Sequence, residues 1–253
     1  MAEEVGEWWR TFFEGPWLDF QRAMDRPGET EPALHFLLDH LRLKPGDRVL
    51  DLACGDGRIA RPLSRLGYRV TGLDHSRDVL DRAREAALEE GLKADFREGD
   101  LRRLPFRASF DAAFCWWGSF GYFNESGNRS FLRGVFRALR PGAIFILDSE
   151  CEETLLPEFM ERQERKIGDL RLRIRNRFDP LTRRIESDWS FAKDGIRRKR
   201  HSSIRLYRLS EIKSLFREAG FEKIRSLGSL EGETVKEGSP RLLMLARKPW
   251  TEK

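Results

Sequence analysis

The stretch Val49-Leu50-Asp51-Leu52-Ala53-Cys54-Gly55-Asp56-Gly57 decides how this chain folds. An apolar run of strand length ends at an acid and opens into a loop with small residues at 53, 55 and 57. One glycine would suffice for a turn. Three small residues in alternation let a ligand approach the backbone at the start of the helix that follows. Outward from this loop, strands and helices alternate. Residues 44–47 form a turn before the first strand, 48–53. Residues 59–66 read as a helix stopped by Gly67, 68–74 as a strand, and 76–91 as a helix capped by Ser76 and closed by Gly91. Strands follow at 94–97 and 110–116, a helix at 129–139 closed by Pro141-Gly142, and a strand at 143–149. This alternation predicts a doubly wound α/β fold, a parallel sheet with right-handed crossovers covered on both faces. Ligands of such folds bind at the carboxyl ends of the strands, here at Asp51, Asp74, Arg97 and Trp116.

The flanks have other patterns. Trp8, Trp9, Phe12 and Phe13 have the spacing of an apolar helix face, continued by Trp17 and Phe20, which predicts packing against the core or a lid over a site. Thr30-Glu31-Pro32 starts a helix running to Leu41. After residue 168 the period falls to two: Leu170, Leu172 and Ile174 alternate with Arg171, Arg173, Arg175 and Arg177. Further strands at 183–193 and 196–206 are joined by the hairpin turn Asp194-Gly195. A helix begins at Ser210 and ends at Gly220, and strands at 221–227 and 241–247 complete the sheet. The expected layout is N-terminal aromatic helices as a cap (1–45), a Rossmann-like core (46–167), an antiparallel β insertion (168–209), and a C-terminal helix with the last two strands of a seven-stranded, mostly parallel sheet (210–253).

Composition narrows the class of protein. With 253 residues, 40% hydrophobic and 35% charged, the chain is long enough to bury a large core and is far from the disordered range. No apolar run reaches the roughly 18 residues of a membrane span, and the first ten residues are acidic and aromatic. A cytoplasmic protein with no membrane partner is expected. Three cysteines, Cys54, Cys115 and Cys151, with no Cys-x-x-Cys pair, suggest neither a disulfide framework nor a zinc site. The formal net charge of +5 comes from 47 cations against 42 interleaved acids, so a mixed-charge surface is expected rather than a nucleic-acid partner.

Two ligand classes fit the glycine loop. Gly55-x-Gly57-x-x-Ala60 with Asp74 downstream satisfies the dinucleotide fingerprint. Asp51 argues against it, because an acid at the strand end repels a pyrophosphate and attracts an ammonium group. Five segments in order then carry a family resemblance. Asp51-x-Ala53-x-Gly55-x-Gly57, Gly72-Leu73-Asp74-His75-Ser76, Gly99-Asp100-Leu101, Phe110-Asp111-Ala112-Ala113-Phe114 and Leu139-Arg140-Pro141-Gly142-Ala143 resemble the motifs of class I, Rossmann-like S-adenosylmethionine-dependent methyltransferases. The first glycine of the common motif is Ala53 here.

The resemblance implies S-adenosylmethionine as cofactor and S-adenosylhomocysteine as product. The loop from Asp51 through Ala53, Cys54 and Gly55 to Gly57 would hold the methionine moiety, and Asp74 would bind both ribose hydroxyls. His75 and Val79 would flank the adenine, with Asp100 accepting from its amino group and the Leu101 backbone on the ring. Cys115 and Trp116 would close over the cofactor. The segment Cys115-Trp116-Trp117-Gly118-Ser119-Phe120-Gly121-Tyr122-Phe123 resembles a stretch found in small-molecule methyltransferases, and with the β insertion the chain resembles the subgroup of glycine and amino-sugar N-methyltransferases. No Asn-Pro-Pro-Tyr or Asp-Pro-Pro-Tyr follows the fourth strand.

The expected function is methyl transfer to a nitrogen or oxygen of a small molecule by a monomer or homodimer. Its alternatives are methylation of RNA or a protein, or a non-catalytic module that binds the cofactor or its product. Acceptor contacts are expected from Trp117, Ser119, Tyr122, His201, Arg205 and Tyr207, with no metal and no assigned catalytic base. The inferred hairpin pairs Arg175 with Glu186 and Arg173 with Asp188.

Overall fold

The computed structural model describes residues 6–15, 17, 18, 20 and 27–250. A short helix α1 (Trp9–Phe12) precedes α2 (Pro27–Leu41), after which strands and helices alternate: β1 (Arg48–Leu52), α3 (Ala60–Arg65), β2 (Arg69–Asp74), α4 (Arg77–Glu89), β3 (Asp95–Glu98), β4 (Phe110–Cys115), α5 (Glu125–Ala138) and β5 (Leu139–Ser149). The short helix α6 (Glu152–Leu155) leads into β6 (Arg162–Ile167), β7 (Leu170–Asp179), β8 (Arg184–Lys193) and β9 (Ile196–Arg205). Helix α7 (Leu209–Glu218), β10 (Glu222–Leu227) and β11 (Leu242–Arg247) follow.

The main sheet has seven strands in the order β10-β11-β5-β4-β1-β2-β3. Its strands run parallel except β11, which is antiparallel to both neighbours. Strands buried on both faces need apolar residues at successive positions, and Val49, Leu50 and Leu52 of β1 are fully buried. One face packs on α2, α3 and α4 through Phe36, Leu37, Leu63, Leu80, Phe114 and Ile146. The other packs on α5 and α7 through Phe131, Leu132, Phe145, Leu147, Ile212 and Phe216. The expected doubly wound fold is therefore present, with all crossover loops after β1, β2 and β4 at one edge of the sheet.

Element boundaries shifted where local chemistry outweighed the apolar period. Helix α2 starts at Pro27, ahead of the expected Thr30, and takes Pro32 inside it. Helix α5 starts at Glu125 because the Asn124 side chain accepts from the Gly127 N–H and caps it. The antiparallel strands begin at Arg162, before the expected 168, since β6 (Arg-Gln-Glu-Arg-Lys-Ile) is a polar edge strand without alternation. The β7–β8 register also differs: Arg175 faces Asp188 and Arg177 faces Glu186, two positions from the expected pairing. The loop between Asp179 and Arg184, with Arg183 at φ 53°, sets that register.

The second sheet, β6-β7-β8-β9, is an antiparallel meander. Asp194 and Gly195 at φ 51° and 76° make the β8–β9 turn, as a two-residue hairpin of the primed kind demands. Its inner face, Leu170, Leu172, Ile174 and Phe191, packs against Phe20. The sheet is fastened to the core at the loop after β4. Arg205 N–H donates to the Gly121 carbonyl at 2.8 Å, and buried Arg184 donates to the Ser203 and Phe123 carbonyls. Tyr207 stands behind this joint, accepting from Asn128 Nδ2 at 2.9 Å and donating to Glu125 at 3.2 Å.

Gly121 is the tightest point of the joint. It has φ +92°, and a Cβ there would lie 2.4 Å from the Arg205 carbonyl oxygen. We expect Gly121→Ala to destabilise the fold by about 2 kcal/mol or more, because both the backbone conformation and the close approach exclude a side chain. Thermal unfolding checks this: an unchanged midpoint would mean that the joint has slack.

Candidate active site

The site begins with a carboxylate that ties two loops together. Asp74, at the end of β2, accepts from Gly55 N–H at 2.9 Å through one oxygen and from Ser76 N–H at 3.0 Å through the other. Ala53 (φ 57°), Gly55 (φ 55°) and Gly57 (φ 78°) fold the loop after β1 back so that the Gly55 amide points at this acid. Gly57 is closed by packing beneath, where a Cβ would meet the Phe96 ring at 2.7 Å. Two oxygens offer about four acceptor positions, so lone pairs on Asp74 stay available for hydroxyl donors.

Asp51 lies deeper, 3% exposed, and no cation pairs with it among the described residues. Burial pushes its carboxyl well above the ordinary range, and the charges of Asp74 and Asp56 push it the same way. Burial also raises Asp74, against the pull of the Ser76 and Gly55 amides. The Trp116 Nε1 donor is buried without an acceptor among the described residues. An acid with no cation and an indole with no acceptor mark a place built for a group of complementary charge.

From this floor a cavity of about 490 Å³ runs along the strand ends, a size in the ordinary range for small-molecule sites. Ala53, Cys54, Gly55, Asp74, His75, Val79 and Leu101 line one end, and Trp116, Trp117, Ser119 and Tyr122 line the middle. Trp8, Trp9, Phe12, Phe13 and Trp17 form the roof. Trp9 meets the His75 ring edge-on at 4.6 Å, and Trp8 meets Tyr122 at 4.8 Å. The roof is latched by polar contacts: Trp8 Nε1 donates to the Ser203 carbonyl at 2.9 Å, Ser76 Oγ to Phe13 O at 3.3 Å, and Arg102 to Glu7 at 2.6 Å.

Several expected contacts fall elsewhere. The Asp100 carboxylate beside the cavity is engaged by Arg102, which donates its backbone N–H at 2.8 Å and its guanidinium at 2.6 Å. Burial would raise that acid, and the Arg102 hydrogen bonds outweigh it and hold it low. Cys115 is fully buried within β4, behind the wall. His201, Arg205 and Tyr207 are absent from the lining. His201 lies on the outer face of the second sheet, bonded to Asp188 at 3.0 Å and Glu186 at 2.9 Å. Arg205 pairs with Glu125 at 2.9 Å and covers the Tyr207 ring, and Tyr207 serves the joint. In β9 the side chains that do reach the cavity are Ser202 and Ile204, the neighbours with opposite parity to His201 and Arg205.

The far end of the cavity holds groups that the motifs did not mark. Asp148 and Ser149 at the end of β5 and Glu150 just past it line the cavity, as do Arg241 and Trp189. Asp148 accepts from Trp117 N–H at 3.0 Å and lies 3.6 Å from Arg241. Burial raises its carboxyl to about 6, against the pull of Arg241 and the Trp117 amide. Glu150 opens onto the cavity and is raised by desolvation and by the Asp148 charge. The strand-end rule, extended to the fifth strand, would have found these acids, whereas Arg241 carries no local signal.

Comparison with known proteins agrees with this geometry. Residues 49–142 match the family model described as a methyltransferase domain. A ubiquinone biosynthesis O-methyltransferase of Nitrosococcus oceani is 39% identical over 90 residues, covering 33% of this chain and 38% of that protein. The chain spans less than half the length of such curated relatives. An S-adenosylmethionine-dependent methyltransferase from Clostridium acetobutylicum superposes with a TM-score of 0.79 at 19% identity, covering 92% of this chain and 98% of that one. An amino pentose methyltransferase from Micromonospora echinaspora, solved with S-adenosylmethionine bound, superposes with a TM-score of 0.67 at 18% identity, covering 94% and 98%. Residues 49–142 thus resemble a methyltransferase domain in sequence, and the described chain shares the fold of these solved structures.

A cation docking beside Asp51 would lower that carboxyl toward its ordinary range and expel a proton. We expect binding of an ammonium-bearing ligand to release protons at pH values above the ordinary carboxylate range. Calorimetry in buffers of different ionisation enthalpy reads this directly: a buffer-independent heat would mean that Asp51 is already ionised without a ligand.

Proposed function

We propose that this chain is an S-adenosylmethionine-dependent methyltransferase acting on a nitrogen or oxygen of a small molecule. The observation that carries the reading is the uncompensated acid Asp51 beneath a glycine loop whose amide is tied to Asp74, with one cavity leading from there to the carboxylates after β5. The cofactor supplies an activated methyl group on a sulfonium centre. Asp51 and the loop 53–55 would receive its ammonium group, and Asp74 would accept from its ribose hydroxyls. Val79, His75 and Leu101 would enclose the adenine. Asp100 would act here through Arg102, holding the roof closed at Glu7 and Trp9 rather than binding the base itself.

The acceptor would lie beyond β4, against Trp117, Ser119 and Tyr122 and under the aromatic roof. Positioning a nucleophile in line with the methyl group supplies much of the acceleration in such a transfer. Asp148 and Glu150, one strand further along the sheet edge, are placed to orient an acceptor N–H or O–H and to take its proton. The roof excludes water from the transfer. The size of the cavity and its enclosure favour a small molecule over RNA or a protein. The curated relative methylates oxygen and the amino pentose enzyme takes its name from an amino sugar, so both acceptor atoms occur among similar proteins.

Calorimetric titration with S-adenosylmethionine, S-adenosylhomocysteine and a nicotinamide dinucleotide tests the reading. We expect both adenosyl ligands to bind and Asp74→Ala to weaken them by 10-fold or more, on the order of the loss of charge-assisted hydrogen bonds. Binding of the dinucleotide alone would replace this function with that of an oxidoreductase. Once an acceptor is found, kcat/KM should rise with pH through about 6 as Asp148 ionises, and Asp148→Asn should remove that rise. A profile unchanged by the substitution would take the proton-accepting role from Asp148.

A further inference from the structure

The open face of the second sheet carries a charge that the active site does not explain. In the antiparallel ladders, directly opposed residues share a face. Arg171, Arg173, Arg175 and Arg177 of β7 stand on the outer one, and all four are exposed. Their partners on β6 include Arg162 and Lys166, and two positions further across the sheet β9 adds Arg197 and Lys199. Against these eight cations the same face holds four acids: Glu164, Asp179, Glu186 and Asp188. The acids are already engaged, Glu164 by Arg173, Glu186 and Asp188 by His201, and Asp179 by the Leu181 N–H. The remaining seven cations make no ion pair among the described residues. The register sets Arg175 opposite Asp188 and Arg177 opposite Glu186, but these acids make their close contacts with His201.

The whole chain has 47 cations and 42 acids. Removing these residues leaves thirty-nine cations and thirty-eight acids, so this one patch accounts for most of the formal excess of +5. The patch spans roughly 15 by 30 Å, from the spacing of four strands and the length of the longer ones. It contains no aromatic side chain on which a base could stack, which single-stranded nucleic-acid surfaces use. It contains no large apolar anchor, which protein interfaces concentrate at their centre. Large apolar side chains are instead exposed at its rim: Met160 (55%) before β6, Leu181 (93%) in the β7–β8 turn and Ile196 (56%) at the start of β9.

We propose that this face docks the protein on an anionic phospholipid bilayer. A flat basic plane meets the negative potential of such a surface over its whole area, and rim apolar residues gain by entering the headgroup boundary. Among the described residues no helix is long and apolar enough to cross a membrane, so the association is peripheral and reversible. Because the opposite face of this sheet packs toward the N-terminal aromatic roof, docking leaves the cavity side free of the lipid plane. The inference is independent of the proposed methyl transfer.

Vesicle flotation with the purified chain tests it, using phosphatidylcholine vesicles with and without phosphatidylserine. We expect binding only to the anionic vesicles, lost as salt rises from about 0.1 M to about 1 M and the screening length falls from about 10 to about 3 Å. The variant R171Q/R175Q/R177Q should lose binding at roughly fivefold per cation removed. The charge-matched variant R103Q/R133Q/R137Q, at exposed arginines outside the sheet, should bind like the wild type. Thermal unfolding checks both folds, and Arg175→Glu alone gives the same reading should the triple variant melt early. Absence of binding to anionic vesicles, equal binding to neutral ones, or equal losses in both triple variants would overturn the proposal. A mobility shift of duplex DNA or RNA by a chain that ignores vesicles would also overturn it, assigning the face to a nucleic acid.

Discussion

The hydrogen bonds from Gly55 and Ser76 to one carboxylate, Asp74, are the constraint on which the site depends. In a parallel sheet the loops after β1 and β2 leave at the same edge, but nothing in the strands themselves fixes their separation. Asp74 does so by accepting an amide from each, and Cys54 N–H adds a further tie to the Leu73 carbonyl at 3.2 Å. The cost is a buried carboxylate close to a second one, Asp51, with burial raising both above their ordinary range. A fold that keeps two such acids at one strand edge has stored electrostatic free energy that a cation and hydroxyl donors can relieve.

Enclosure of that edge comes from elements outside the doubly wound core. The N-terminal aromatic segment spans from Glu7, held by Arg102, to Thr11, whose carbonyl accepts from Arg200 of β9 at 3.2 Å. It therefore touches both the core and the second sheet. The second sheet is fixed in turn at Gly121 and Phe123 of the loop after β4. The wall of the cavity, its roof and the added sheet thus form one mechanical unit. A disturbance of the joint would be felt where an acceptor would lie. The side of the added sheet that faces away from this unit has no packing duties and carries most of the net charge of the molecule.

Much of the core was legible because its signals are local. The apolar runs of β1, β2 and β4, glycines past the ends of α3 and α4, and the small residues at 53, 55 and 57 each report a backbone requirement met within a few positions. The same holds for Asp74, His75 and Leu101, which sit at strand ends or just past them, and for Val79 in the first turn of α4. Residues assigned from the second sheet were less legible. In a strand, a choice of one position reverses the face, and His201 and Arg205 lie outside while Ser202 and Ile204 lie inside. The β7–β8 register, offset by two positions, likewise followed from a loop whose left-handed Arg183 gave no signal in the periodicity.

The sequence by itself determined the parallel core, the loop that ends β1, and the acids at the ends of its strands, because period, turn chemistry and strand-end position are properties of neighbouring residues. Only the tertiary structure decided that Arg102 occupies Asp100, that Asp148 and Glu150 share a cavity with Asp74, and that three of the four arginines on the outer face of β7 make no ion pair among the described residues. Each of those outcomes depends on groups brought together across the chain by crossovers and strand register. Hydrogen bonding and Coulomb attraction act over only a few ångströms, so their partners are settled by packing and not by order along the chain.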